Sequence, residues 1–160
     1  MFILVVQNQK TMEPNIQINM IAILVAVVAN FIFGALWYMP LFGKAWAREM
    51  KMDLTGPKPP QSEMFKGMAI MVIGNFLMAY VFAHNIAVWN PVTWGQPPST
   101  MHTPMSMAFA ASFFTWLGFY LPQDLSKIAW EKSSWKLFFI NTAYHFLSLV
   151  IAALIIVMMM

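Results

Sequence analysis

Four long apolar stretches, parted by shorter polar connections, set the pattern of this chain. They run from Ile18 to Tyr38, Gly67 to Trp89, Met105 to Leu121 and Leu137 to Val157. A helix rises about 1.5 Å per residue, so a hydrocarbon core of roughly 30 Å needs about 20 such residues. Each stretch therefore predicts one transmembrane helix. Trp37 and Tyr38, Trp89 and Trp94, Tyr120, Trp130 and Trp135 stand near the ends, where amphipathic rings favour the headgroup level. Pro40, Pro91, Pro104 and Pro122 fall at the expected boundaries, because proline lacks an amide donor and disfavours helix in the residue before it.

The connection after the first stretch has two parts. From Leu41 to Met52, Leu41, Phe42, Ala45, Trp46 and Met50 alternate with Lys44, Arg48 and Lys51 in an amphipathic pattern suited to a short interfacial helix. From Gly56 to Pro60 the chain is a proline-rich linker. The expected fold is all-α: a polytopic membrane protein forming a four-transmembrane-helix bundle, with residues 1–17 as an external tail and 18–160 as one membrane domain. No internal repeat of the kind many transporters carry is visible.

Composition agrees with the pattern. Of 160 residues 60% are hydrophobic and 9% charged, against about 25% charged in a soluble domain. A net charge of +3 alone would suit nucleic acid, but the cations are placed otherwise. Lys44, Arg48, Lys51, Lys58 and Lys66 precede the second stretch, and Lys127, Lys132 and Lys136 precede the fourth, leaving only Lys10 elsewhere. The positive-inside rule makes these two connections cytoplasmic and both termini external, with no nucleic-acid partner. The uncharged segment from Asn90 to Pro104 is then also external. The apolar run from Met1 to Val6 is too short for a signal peptide, and Met12 offers a second start that would make residues 1–11 an extension. With no cysteine, thiol redox chemistry and cysteine zinc sites are excluded.

The segment Gly34 to Trp46, GALWYMPLFGKAW, resembles a bacterial membrane-protein family known as domain of unknown function 1761. Trp116 to Phe119 (WLGF) and Trp135 to His145 (WKLFFINTAYH) extend the resemblance, which covers about Ile16 to Val157. The N-terminal extension and the methionine content depart from the family pattern. The resemblance implies a four-helix bundle in a bacterial inner membrane and implies no reaction or cofactor.

Polar side chains inside spans must find partners, so they face the bundle interior or a wet cavity. Asn30, Asn75, Thr115, Asn141, Tyr144 and His145 are expected at similar depth, roughly 8 to 15 Å from the cytoplasmic boundary by helix rise. They form either a hydrogen-bonded layer that glues the helices or a path for a neutral solute, a proton or Cu(I). No Asp or Glu falls within the predicted spans, which counts against an ordinary ion-coupled carrier. Histidine titrates near neutral pH, yet His145 is expected to be neutral and bonded to Asn141 or a backbone carbonyl. His84 is expected at the outer interface, and Asp124, Lys127, Glu131 and Lys132 on a solvated charged face.

Ala22, Ala26, Asn30 and Gly34 recur every fourth residue, a small-residue stripe that admits a close neighbour. Asn141, His145, Ser148 and Ala152 form a similar stripe, so the first and fourth spans are expected to touch. Sixteen methionines are unusual, and Met101, His102, Met105 and Met107 lie close together. Thioether and imidazole ligands suit Cu(I), whereas methionine is also an adaptable apolar filler, the reading preferred here with no metal and no cofactor. Nothing resembles a hydrolase triad. The expectation is a non-enzymatic structural or accessory protein that acts through helix association, as a homo-oligomer or within a larger membrane complex. The alternative is a small oligomeric channel or transporter using the polar layer.

Overall fold

A computed structural model describes residues 13–53, 56, 59–97 and 103–160. The expected extension at residues 1–11, together with Met101 and His102 of the speculative metal group, lies outside them. The described residues are helical, without strands: α1 (Met20–Leu36), α2 (Gly43–Glu49), α3 (Gln61–Trp89), α4 (Pro104–Thr115), α5 (Leu121–Glu131) and α6 (Trp135–Met158). Three helical stretches are long and apolar enough to cross a membrane: Met20–Leu41, Gln61–Trp89 and Trp135–Met158.

Local chemistry sets the helix starts. The Asn19 side chain accepts from the amides of Ile21 and Ala22 at the head of α1, and its Nδ2 donates to the Met159 carbonyl at 2.8 Å. Thr103 caps α4 through the Ser106 amide, and Ser134 caps α6 through the Leu137 amide. Each cap satisfies amides that the first helical turn leaves without partners.

None of the four prolines closes a helix. Trp37–Leu41, which contains Pro40, is a π-turn continuing α1, and Trp116–Tyr120 is a π-turn joining α4 to α5 just before Pro122. Proline cannot donate, and its ring would strike the carbonyl four residues back. Widening the turn relieves this. The Phe42 amide then reaches the Trp37 carbonyl, and the Leu121 amide reaches that of Trp116, each five residues back. The expected boundary at Leu121 is therefore corrected: the helical path runs from Pro104 to Glu131. The connection to α6 is short, and Lys132 turns it with a left-handed φ of 56°. Pro91 and Pro104 open helical segments instead of closing them, in the first turn where no donor is needed.

Helix α6 is the hub. It packs against α1 and α4 most extensively and also touches α2, α3 and α5. The main core joins Ile23, Ala26 and Val27 of α1 to Ala79, Phe82, Ala83 and Ile86 of α3, Ala108 of α4, and Leu149, Ala152, Ala153 and Ile156 of α6. Ala22, Ala26, Asn30 and Gly34 are all buried. A side chain at Gly34 would meet Met71 Cε at 2.7 Å and the Tyr144 hydroxyl at 3.0 Å, so this glycine lets α1 close on both α3 and α6. The second, smaller core holds Trp37, Ile140 and Tyr144. Helix α2 folds back beneath it, where the Glu49 carboxylate accepts from Ser134 at 2.7 Å and pairs with Lys136 at 3.7 Å.

Gly43 begins α2 hard against the preceding π-turn, where a Cβ would lie 2.6 Å from the Tyr38 carbonyl oxygen. Backbone cannot swing aside as a side-chain tip can. Gly43→Ala is therefore expected to destabilise the protein by about 1–3 kcal/mol, as overpacking does. Gly74→Ala, mid-helix with nothing within 4 Å, should instead stabilise it by about 0.5–1 kcal/mol. Thermal melting of the two purified variants in one detergent checks the opposite signs.

A buried carboxylate and imidazole at the lysine-rich end

Lys44, Arg48 and Lys51 follow α1, Lys66 lies near the start of α3, Lys127 and Lys132 lie at the end of α5, and Lys136 lies at the start of α6. Antiparallel packing brings these ends together. Just inside this end of the bundle the two π-turns present their side chains to α6. Trp37 Nε1 donates to the Ile140 carbonyl at 3.1 Å, and the Tyr38 hydroxyl donates to Asn141 Oδ1 at 3.1 Å. From the other side, Trp116 Nε1 donates to Thr142, to its carbonyl at 3.1 Å and its Oγ1 at 3.0 Å.

The second π-turn also decides where Asp124 points. Ala108, Ser112, Trp116, Tyr120 and Asp124 are spaced by four, and at 3.6 residues per turn an α-helix would carry the last of them well around its axis. One wider turn absorbs the surplus residue. Ala108 and Ser112 are fully buried, and Asp124, 3% exposed, is buried too. Its Oδ2 lies 2.7 Å from His145 Nδ1, and its Oδ1 accepts from Lys127 Nζ at 2.9 Å. The expectation that Asp124 sits on a solvated charged face is overturned. So is the expected bonding of His145 to Asn141 or a backbone carbonyl.

The Asp124 side chain is 2% exposed, His145 24% and Lys127 41%, so the charge is sunk while the imidazole and ammonium reach the surroundings. A buried ion is tolerated only when paired and hydrogen-bonded, and here both carboxylate oxygens are engaged. The Tyr120 ring lies 5.0 Å from the imidazole, between centroids, and the Tyr144 ring 5.8 Å. Tyr144 in turn meets Tyr38 edge-on at 4.9 Å and stacks on Phe33 at 5.6 Å. Asp124 engages Nδ1, so Nε2 is the ring nitrogen that this contact leaves unengaged.

The six residues of the expected layer are placed differently from one another. No hydrogen bond joins any two of them. Asn141 bonds to Tyr38 and His145 to Asp124, while Tyr144 is packed among aromatic rings. Asn30 is fully buried with neither polar atom partnered, and Asn75 Nδ2 is also buried and unpartnered. Thr115 turns away from the centre and lines a cleft of about 640 Å³ between α3 and α4 with Asn85, Ile86, Trp89, Ser106 and Phe119. On α3, His84 Nδ1 lies 2.8 Å from the Tyr80 carbonyl one turn back. Met105 is exposed, and Met107 lines the clefts at the opposite end. Among the described residues no three His, Cys, Asp or Glu side chains group as a metal site.

Residues 21–157 match a family model described as protein of unknown function (DUF1761). No curated protein and no solved structure matches the chain.

If the Asp124–His145 pair holds α5 on α6, removing either partner costs the other its bond across that seam, and removing His145 leaves Asp124 with Lys127 alone. His145→Leu and Asp124→Leu are each expected to destabilise the protein by about 1–3 kcal/mol. The double variant should lose less than the two losses together, because nothing buried remains unpaired. Melting curves of the three purified proteins measure this coupling, and strict additivity would remove the pair as a structural tie.

Proposed function

The chain belongs to the family DUF1761, whose function is unknown, and from that premise we propose that it is a four-span, non-enzymatic protein of the bacterial inner membrane that moves protons or a weakly basic solute. Besides the three membrane-length helices, the fourth span is the bent path through α4 and α5. The lysine-rich end faces the cytoplasm and both termini face outward, following the positive-inside rule. On this reading α2 lies in the cytoplasmic interface, with Lys44, Arg48 and Lys51 toward the headgroups.

One observation carries the transport reading: a carboxylate 2% exposed is bonded to an imidazole that is 24% exposed. Ionisable groups within membrane-spanning bundles mark ion and proton routes. His145 Nε2 takes a proton from the cytoplasmic side, and Asp124 stabilises the resulting imidazolium. Lys127, on the same carboxylate, is the competing cation, while Tyr120, Tyr144 and Tyr38 complete the titratable surroundings. Release of Asp124 from one cation to the other couples protonation to the position of α5.

A second reading, structural or accessory action through helix association, has its own support in α3. Only 11% of its most apolar window is buried, against 39% for α1 and 56% for α6, so α3 has a face available to a second copy or another subunit. Gly67 and Gly74 have nothing within 4 Å of where a side chain would start.

Two experiments test this. Single cysteines at Ser62 and Gln96, both exposed, are introduced into the cysteine-free chain, and intact cells are treated with an impermeant thiol reagent. Only the Gln96 position should label, and labelling at Ser62 reverses the topology. In proteoliposomes carrying a pH-sensitive dye, the wild-type protein should dissipate an imposed pH gradient. His145→Gln and Asp124→Asn, if folded, should not. Undiminished flux in folded His145→Gln leaves helix association as the function.

A further inference from the structure

We propose that Asn30 and Asn75 hold a buried water-sized guest, a neutral group that both donates and accepts hydrogen bonds, in a layer with Ser112 and Ser148. Its role as the next station of a proton path rests on the transport reading above, whereas the site itself does not.

Register brings the layer together. Gly34 of α1 stands against Met71 of α3 and Tyr144 of α6. Because both neighbours run antiparallel to α1, one turn back along α1 is one turn forward along each. Asn30 then comes level with Asn75 and with Ser148. Ser112 lies one turn before Trp116, whose indole bonds Thr142, so α4 delivers its hydroxyl to the same stretch of α6. Asn30 and Ser112 are wholly buried, and Ser148 is 6% exposed.

The donor and acceptor inventory defines the guest. Asn30 Oδ1, Asn30 Nδ2 and Asn75 Nδ2 are buried without partners. Both serine hydroxyls already spend their protons within their own helices, Ser112 on the Ala108 carbonyl at 2.7 Å and Ser148 on the His145 carbonyl at 2.9 Å. They have only lone pairs left to offer. The layer thus presents two amide NH₂ groups, one amide oxygen and two hydroxyl oxygens, with no formal charge. An anion would find no cation, and a metal ion would face the two NH₂ groups. A neutral hydrogen-bonding guest satisfies both kinds of group, and the burial of Asn30 and Ser112 limits it to the size of water, which makes about three hydrogen bonds at such sites.

The site also has a place in the bundle. Ser148 sits one turn from His145 and bonds its carbonyl, so the layer adjoins the imidazole on the side away from the lysines. Beyond it, Ile23, Ile86, Leu149 and Ile156, all 3% exposed or less, close the bundle with apolar bulk. The layer is the inner limit of a path that opens at the lysine-rich end.

The sign of a stability change tests this. If Asn30 is a dry orphan, Asn30→Leu relieves a buried unsatisfied amide and raises the melting temperature. If Asn30 and Asn75 share a guest, Asn30→Leu and Asn75→Leu each lower it, and the double variant loses less than the two single losses combined. A rise, no change or strict additivity overturns the proposal, additivity being the mark of misfit leucines alone. Proteoliposome flux separates this result from the transport reading. Coupled asparagines with undiminished flux in His145→Gln leave the guest site standing and remove transport; additive asparagines with flux lost in His145→Gln do the reverse.

Discussion

An α-helix turns every 3.6 residues, so a row of positions spaced by four winds off the face on which it began. This fold needs two such rows to stay in place. On α1 the row is Ala22, Ala26, Asn30, Gly34 and then Tyr38; on α4 and α5 it is Ala108, Ser112, Trp116, Tyr120 and Asp124. Each row contains one π-turn, and each π-turn adjoins a proline whose missing amide makes the wider turn tolerable. On α4 and α5 the surplus residue restores the face, and without that π-turn Asp124 would not reach His145. On α1 the row is buried through Gly34 ahead of the turn, and Tyr38, inside the turn, bonds Asn141.

Burial follows from the same geometry. Small residues at the α1–α6 seam admit close approach, and in an apolar surrounding such contact, not expulsion from water, is what joins helices. Neutral pins fix the register: Trp37 on Ile140, Trp116 on Thr142, Asn19 on Met159. Helix α3 has fewer of these devices. Its buried contacts are concentrated in its second half, at Ala79, Phe82, Ala83, Ile86 and Ala87, while the first third, from Gln61 to Ile70, is exposed throughout. Asn75 lies where the buried part of α3 begins.

Much of this was legible in the sequence, and what was not has identifiable causes. Four-residue spacing of Ala22, Ala26, Asn30 and Gly34 makes a buried stripe visible, because small side chains there have no other common purpose. Asp124 was hidden by its company. Lys127, Glu131 and Lys132 surround it in sequence, and Pro122 reads as a helix stop, so the segment resembles a solvated connection. Yet proline is also favoured in the first turn of a helix, and α5 carries it there. Leu121, Leu125 and Ile128 then mark an amphipathic helix, on which one carboxylate can face inward while its neighbours face out. A π-turn leaves no residue signature beyond the nearby proline, so the rotation that brings Asp124 onto α6 needs coordinates. The unpartnered Asn30 and Asn75 needed coordinates too, since sequence places them in a layer without saying who bonds whom.

Stability alone is a weak reason for the Asp124 cluster. Replacing a buried ion pair by well-packed apolar residues is often neutral or stabilising, because desolvation consumes what the charges return. Elsewhere along α6 the chain ties helices with indole-to-carbonyl bonds, which satisfy the donor and bury no charge. At Asp124 it instead sinks a carboxylate and engages it with two cation-forming groups, one on its own helix and one on α6. Those partners differ in kind: an ammonium keeps its charge near neutrality, whereas an imidazole gains or loses it there. A carboxylate shared between a fixed and a switchable cation is bound to α6 more strongly when the imidazole is charged. The proposed transport reading makes use of this difference: the grip of α5 on α6 then depends on a proton, a property that the neutral pins cannot supply.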